Sequence, residues 1–260
     1  MLKSQLNDSA YKLRTRIEIS NRLGTILPIA RYISYGAMIA AFLCIVSGVS
    51  CDISSLIDVM TNTRLHGKAV VGATIMYPMA ILGLGLSYLI PFVIAYIFHA
   101  IDVSLDTLKP DYQVSANMTQ ILIWGQVFIG ILGIILELDE DEVMALIFFP
   151  FVIAFYVVAA VWVSRLSQRW SVLDSAHKKT AGLLRLYIYL SIALAVACII
   201  GYAIDGVIGD VIGNLISPFV DLYLFYKFGD CYREINMVYL EAVEDTDKAE
   251  DNIQEITNRQ

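Results

Sequence analysis

The chain has little of what most enzymes and metal proteins use for chemistry. Its 260 residues include three histidines and four cysteines, and none of them has the paired spacing of a zinc or haem site. It contains no HExxH, GxSxG or Walker motif. We therefore expect no metal, no cofactor and no catalytic residue, and an enzyme acting on a lipid is the least supported class of function.

The N-terminal segment also lacks the features of a signal peptide. Residues 1–26 are polar and charged, with no apolar core and no small-residue cleavage site. Leucines and isoleucines are helically spaced among Lys and Arg, so residues 1–30 are predicted to form a basic amphipathic helix. Such a helix can lie on an anionic inner leaflet. At the other end, residues 229–260 are predicted to form an acidic cytoplasmic tail.

Apolar residues are abundant, at 58% of the chain, and they are grouped in long blocks. A bilayer core needs about 20 apolar residues for one helical crossing. The blocks therefore predict an all-α integral membrane protein with six transmembrane helices between residues 31 and 228. The second block is long for one crossing and is expected to tilt, or to kink at Pro78 or Pro91. The six predicted spans are 31–50, 70–100, 119–137, 143–164, 183–204 and 210–228.

The positive charges predict the orientation of these spans, because Lys and Arg concentrate on the cytoplasmic side of a membrane. If the N-terminus is cytoplasmic, all of the 18 Lys and Arg residues except Arg64 and Lys68 fall on the inner side. We therefore expect both termini to be cytoplasmic, in a bacterial inner membrane or a plasma membrane.

A short sequence recurs in the even-numbered spans. Pro-Phe-Val occurs at Pro91, Pro150 and Pro218, although the chain has only six prolines. The recurrence predicts three parallel helical hairpins, with repeats at about 31–101, 119–165 and 183–228. The alternative is that apolar segments resemble one another because they draw on few residue types.

Asp221 is the residue most indicative of a function, because it lies well inside the sixth predicted span. A carboxylate there costs about 2.5–3.5 kcal/mol and should face the bundle interior or water. Asn214 and Ser217 precede it on the same predicted helical face. Tyr189, Gln126 and Arg185 are expected at a similar depth. These six residues are the candidate transport or ion-binding site; the alternative is that Asp221 is a structural partner for a neighbour.

Acidic residues are predicted at the outer ends of the spans. Glu142, Asp205 and Asp210 would form an acidic mouth that concentrates cations. Acids at the outer N-terminus of a helix, such as Glu142 and Asp210, are also favoured by the helix dipole alone.

Two classes of function remain open. The first is a small membrane channel or carrier, for a cation or a proton, that uses Asp221 in the bundle interior. The second is a non-conducting interaction protein that acts through its charged termini, such as an assembly factor, an immunity protein or a membrane sensor or defence component. The expected partner is the lipid bilayer with its anionic inner leaflet. A homo-oligomer and a cytoplasmic protein partner stay open, and no nucleic acid is expected.

Overall fold

The computed structural model describes residues 2–47, 53–62, 68–106, 116–138, 142–173, 175–204, 208–209 and 211–258. Within these ranges the chain is helical and contains no strand, which confirms the predicted all-α class. A π-helical segment, Val211–Ile216, leads into the last helix. The α-helices are α1 (Leu2–Ser47), α2 (Ile53–Asn62), α3 (Lys68–Ser87), α4 (Ile90–Asp106), α5 (Ala116–Leu138), α6 (Glu142–Trp170), α7 (Ser175–Ile204) and α8 (Ser217–Asn258).

Five of the described segments are long and apolar enough to cross a membrane. In the most apolar part of each, only 28–39% of the residues are buried inside the protein. Large apolar side chains therefore cover the outside, as with Trp124 at 68% exposed. These are the properties of an integral membrane protein. The five segments are Arg14–Val46, Ile75–Ser104, Asn117–Ile135, Phe148–Trp170 and Ser175–Ile204.

The sixth predicted span, residues 210–228, is not among these five. Its described part is the π-helical segment together with the first turns of α8. Asn214, Asp221 and Lys227 interrupt the apolar sequence there, which lowers its hydropathy. A sixth crossing therefore stays a prediction.

The two ends of the chain do not form separate helices. α1 is continuous from Leu2 to Ser47, so the predicted boundary at residue 30 falls inside one helix. Ile19, Leu23 and Leu27 are buried in the same core as the transmembrane helices, so this face packs against protein. Likewise α8 runs without a break past residue 228 to Asn258.

The long helices pack side by side in chain order, and the last returns to the first. α1 contacts α3, α4 and α8, and contacts also join α4 to α5, α5 to α6, α6 to α7 and α7 to α8. Aromatic contacts show that α6 and α7 run in opposite directions, because Phe149 meets Tyr202 while Trp170 meets His177. The result is a closed arrangement in which helices α4 to α8 and α1 surround a common core.

The second apolar block is broken where the sequence predicted a kink. α3 ends at Ser87, a turn covers residues 88 and 89, and α4 begins one residue before Pro91. Proline has no N–H to donate to the preceding turn, so the helical hydrogen-bond pattern is interrupted there. Pro78, the other candidate, lies inside α3.

Polar contacts attach α1 to α8. Arg31 donates a 2.9 Å hydrogen bond to the Phe225 carbonyl, and its guanidinium lies 4.1 Å from the centroid of the Tyr226 ring. Nearer the N-terminus, Arg16 is fully buried and lies 5.6 Å from the centroid of the Tyr232 ring. Burial raises the pKa of the Tyr232 phenol, and the Arg16 charge opposes this shift, so Tyr232 stays neutral near pH 7. The two terminal helices therefore pack directly against each other.

Gly83 permits the close approach of α3 to α1, and this gives a test of the packing. A Cβ at Gly83 would lie 2.7 Å from the Gly36 carbonyl oxygen and 3.0 Å from the Ala40 Cβ. Because backbone cannot yield as a flexible side chain does, we expect Gly83→Ala to lower the free energy of unfolding by about 1–3 kcal/mol. Denaturation in detergent micelles measures the effect.

The matched control is Gly182→Ala in α7, where an added Cβ meets nothing within 4 Å. This change is expected to be neutral or slightly stabilising, because alanine favours the helix. Equal stability of the two variants would contradict the close α1–α3 contact.

Candidate functional site

Asp221 is part-buried in the second turn of α8 and contacts α7. Its Oδ1 accepts a 3.1 Å hydrogen bond from the Tyr187 hydroxyl. The same two helices are joined farther along by an exposed ion pair, Lys179 with Glu234, at 3.0 Å. Asp221 lies about 20 Å along α8 from Glu234. The two contacts together show that α7 and α8 run in opposite directions. They also show that the Asp221 carboxylate lies far from the Lys179–Glu234 ion pair.

Tyr187 connects Asp221 to polar residues on two further helices. Its ring meets the ring of Tyr156 in α6 edge-on, with centroids 6.3 Å apart. Ser191, one turn from Tyr187 in α7, donates a 2.9 Å hydrogen bond to the Tyr187 carbonyl. Ser191 and Gln126 in α5 both lie near the Tyr156 hydroxyl. We call these five residues, Asp221, Tyr187, Tyr156, Gln126 and Ser191, the Asp221 cluster. They join four helices through oxygen and amide groups.

Gln126 supplies a buried acceptor to this cluster. The side chain is 1% exposed, and its Oε1 has no hydrogen-bond partner within the described part of the chain. A buried amide oxygen left without a donor costs about 1–3 kcal/mol, so such atoms call for an explanation. Hydrogen bonding to a proton donor or coordination of a cation would satisfy it.

The structure brings together some of the predicted site residues and separates others. Asp221 and Gln126 belong to one cluster. Tyr189 is 52% exposed and Arg185 is also exposed. Tyr189 lies about 200° around the helix from Tyr187, so the two cannot share a face. Tyr187, and not Tyr189, is the tyrosine at Asp221.

Asn214 and Ser217 are half-buried immediately before Asp221, but a regular α-helical stripe does not connect all three. Asn214 lies in the π-helical segment, and Ser217 is the first residue of α8. Pro218 has no N–H to donate to the Asn214 carbonyl, which favours the wider π-helical turn at this point. The α-helical spacing used for the prediction therefore holds only from Ser217 onward.

The side chains of the predicted acidic mouth are not among those that the structure describes. Asp205 and Asp210 are not described, and Glu142 begins α6 with a side chain that is not described. Their role stays a prediction.

Three members of the Asp221 cluster were not predicted: Tyr187, Tyr156 and Ser191. A sequence signal for two of them does exist, because Tyr187 and Ser191 are four residues apart and must share a helical face. Tyr156 sits in a span that is apolar on every side, so nothing in the sequence distinguishes it.

The pair Tyr187 and Tyr189 provides a matched test of the cluster. Tyr187→Phe removes the hydroxyl that donates to Asp221, and Tyr189→Phe removes an exposed hydroxyl two residues away. We expect Tyr187→Phe to lower the free energy of unfolding by about 0.6 kcal/mol, the average for side-chain hydrogen bonds between membrane helices, and by at most about 1.7 kcal/mol. Tyr189→Phe should change it little. Equal effects in a chemical denaturation series would show that the hydrogen bond adds no stability.

No family model matches the sequence, and no curated protein and no solved structure matches the chain. The function is therefore argued from the residues of the Asp221 cluster and from the helices that hold them.

Proposed function

We propose that the protein is a small membrane channel or carrier that moves a proton or a small cation past Asp221. The observation that carries the proposal is the hydrogen bond from Tyr187 to Asp221, which turns the carboxylate toward neighbouring helices. A carboxylate used for transport must face the bundle interior, because at the lipid surface it has no route to the aqueous phases.

The proposal includes a sixth crossing by residues 210–228 and cytoplasmic termini. Opposed packing of neighbouring helices supports an even number of crossings, since α6 and α7 run in opposite directions, as do α7 and α8. α1 and α8 are also opposed, because Arg16 meets Tyr232 while Arg31 meets Phe225. Two opposed terminal helices place both ends of the chain on one side, and the excess of Lys and Arg makes that side cytoplasmic.

The three-hairpin repeat is retained as part of the proposal, with one difference among its copies. Pro91 and Pro218 each lie at the second residue of a helix, α4 and α8. Pro150 lies within α6. The three prolines thus share a sequence context, and two of them share a place in a helix.

The chemistry of the cluster favours a proton or a hard cation. Its polar atoms are carboxylate, phenol, hydroxyl and amide groups, and oxygen ligands of this kind suit hard cations. A bound proton or cation also removes the unfavourable charge of a carboxylate in a low-dielectric interior. Binding of the proton or cation to Asp221 is thereby favoured. Its release requires that water, or a further binding site along the pathway, replaces the carboxylate as its partner.

The π-helical segment next to Asp221 also supports a transport role. Val211–Ile216 are half-buried or exposed and contact both α1 and α7. π-helical turns are rare and occur frequently at functional sites. Asp221 follows this segment by five residues.

Transport is tested by flux in proteoliposomes. With a potassium gradient and valinomycin to set the membrane potential, proton entry is followed by an internal pH dye and sodium flux by isotope uptake. Potassium flux is measured by isotope uptake in liposomes without valinomycin. We expect the wild type to conduct one of these ions and Asp221→Asn to reduce the flux at least tenfold. Asp221→Asn keeps the side-chain volume, so the folded protein should persist.

The matched control is Glu234→Gln, which removes an exposed carboxylate from the same helix. It should leave the flux within about twofold of the wild type, since an exposed ion pair contributes about 0–1 kcal/mol. An unchanged flux in Asp221→Asn would remove Asp221 from the pathway. If the wild type shows no flux above that of protein-free liposomes, the transport proposal itself is overturned.

A non-conducting interaction protein is the second candidate, and one observation favours it. α8 has 42 residues and continues about 45 Å beyond Phe228 as a single helix of acidic composition. A helix of that length extends far past the bilayer and is a suitable docking element for a cytoplasmic protein. Loss of biological activity on deletion of residues 229–260, in a protein without flux, would favour this candidate.

A further inference from the structure

A groove runs along the outer surface between α6 and α7, away from the Asp221 cluster. It is a shallow groove, open along one side, with a volume of about 650 Å³. Tyr189, the exposed tyrosine that does not reach Asp221, forms part of its wall. Both helices are among the five apolar enough to cross a membrane, so the open side of the groove faces the bilayer.

The groove is apolar toward one end and polar toward the other. Val157 and Val161 line it on α6, and Ile192 lines it on α7. Arg165 and Gln168 also line it on α6, about one and two turns beyond Val161 toward the C-terminal end of the helix. From Val157 to Arg165 the helix advances about 12 Å. An elongated ligand with an apolar chain and a polar head would match this order.

The two helices that line the groove carry positive charges and no acidic residue along it. Residues 143–173 of α6 and the following turn contain no Asp or Glu, and neither does α7. The same two helices carry exposed cations at this end of the bundle, including Arg165, Arg169 and Arg185. A negatively charged head group would therefore be attracted to the polar end of the groove.

We propose that the groove between α6 and α7 is a binding site for one anionic phospholipid. The phosphate group lies at Arg165, with Gln168 and the Tyr189 hydroxyl as further hydrogen-bond donors, and an acyl chain covers Val157, Val161 and Ile192. Arginine suits this role because its planar guanidinium donates two parallel hydrogen bonds to phosphate oxygens. The site does not depend on the transport proposal and would serve an interaction protein equally.

Native mass spectrometry of the detergent-purified full-length protein tests the site. The probes are phosphatidylglycerol and phosphatidylcholine with identical acyl chains. We expect the wild type to retain phosphatidylglycerol in preference, and Arg165→Gln to weaken that retention about fivefold, the effect of one cation near an anionic head group. Arg165→Lys should recover part of the loss. Val161→Phe, which narrows the apolar end, should weaken retention of both lipids.

The matched control is Arg169→Gln, which removes an exposed cation one turn farther along α6 that does not line the groove. It should leave retention of phosphatidylglycerol unchanged. Equal losses in Arg165→Gln and Arg169→Gln would show diffuse attraction to a basic surface and overturn the site. Equal retention of the two lipids by the wild type, or retention unaffected by Val161→Phe, would overturn it as well.

Discussion

The hydrogen bond from Tyr187 to Asp221 is the interaction on which this account of the protein depends. A carboxylate among transmembrane helices is costly, and the cost falls when the group faces polar neighbours in place of lipid. Tyr187 supplies the nearest neighbour, Tyr156 and Ser191 extend the polar environment, and Gln126 brings an acceptor from a fourth helix. Because these residues come from α5, α6, α7 and α8, the cluster forms only when those helices pack together. The same contacts thus contribute to the fold and define the candidate site.

The class of the protein could be predicted from the sequence, and the faces of its helices could not. Long apolar blocks determine that a chain enters a membrane, whatever the order of residues within each block. The sequence also predicts Asp221 well inside its span and Gln126 at a similar depth, and the structure places both residues in the Asp221 cluster. Tyr189 was expected near Asp221, where the structure places Tyr187. The position of a residue along a helix does not determine the direction in which its side chain points around the helix axis. In α7 apolar residues cover every side, so no polar face identifies which tyrosine points inward.

Two further features of the structure could not be predicted from the sequence. The amphipathic N-terminal segment suggested a helix lying on the membrane surface, yet Ile19, Leu23 and Leu27 pack into the core, and the helix contacts α4 and α8. An apolar face fits lipid and protein equally well, and only the position of the other helices decides between them. The π-helical turn before Ser217 is the second case, since proline indicates a disturbed helix but not the form of the disturbance.

The central claim is that position 221 faces the interior of the bundle and meets water there. It is tested most directly by thiol labelling of Asp221→Cys in a chain whose four native cysteines are replaced by serine. Phe219→Cys, on a 52% exposed position of the same helix, serves as the lipid-facing reference. The account predicts that a membrane-impermeant, water-soluble reagent modifies position 221 and not position 219 in proteoliposomes. Modification of position 221 by lipid-soluble reagents alone would contradict it.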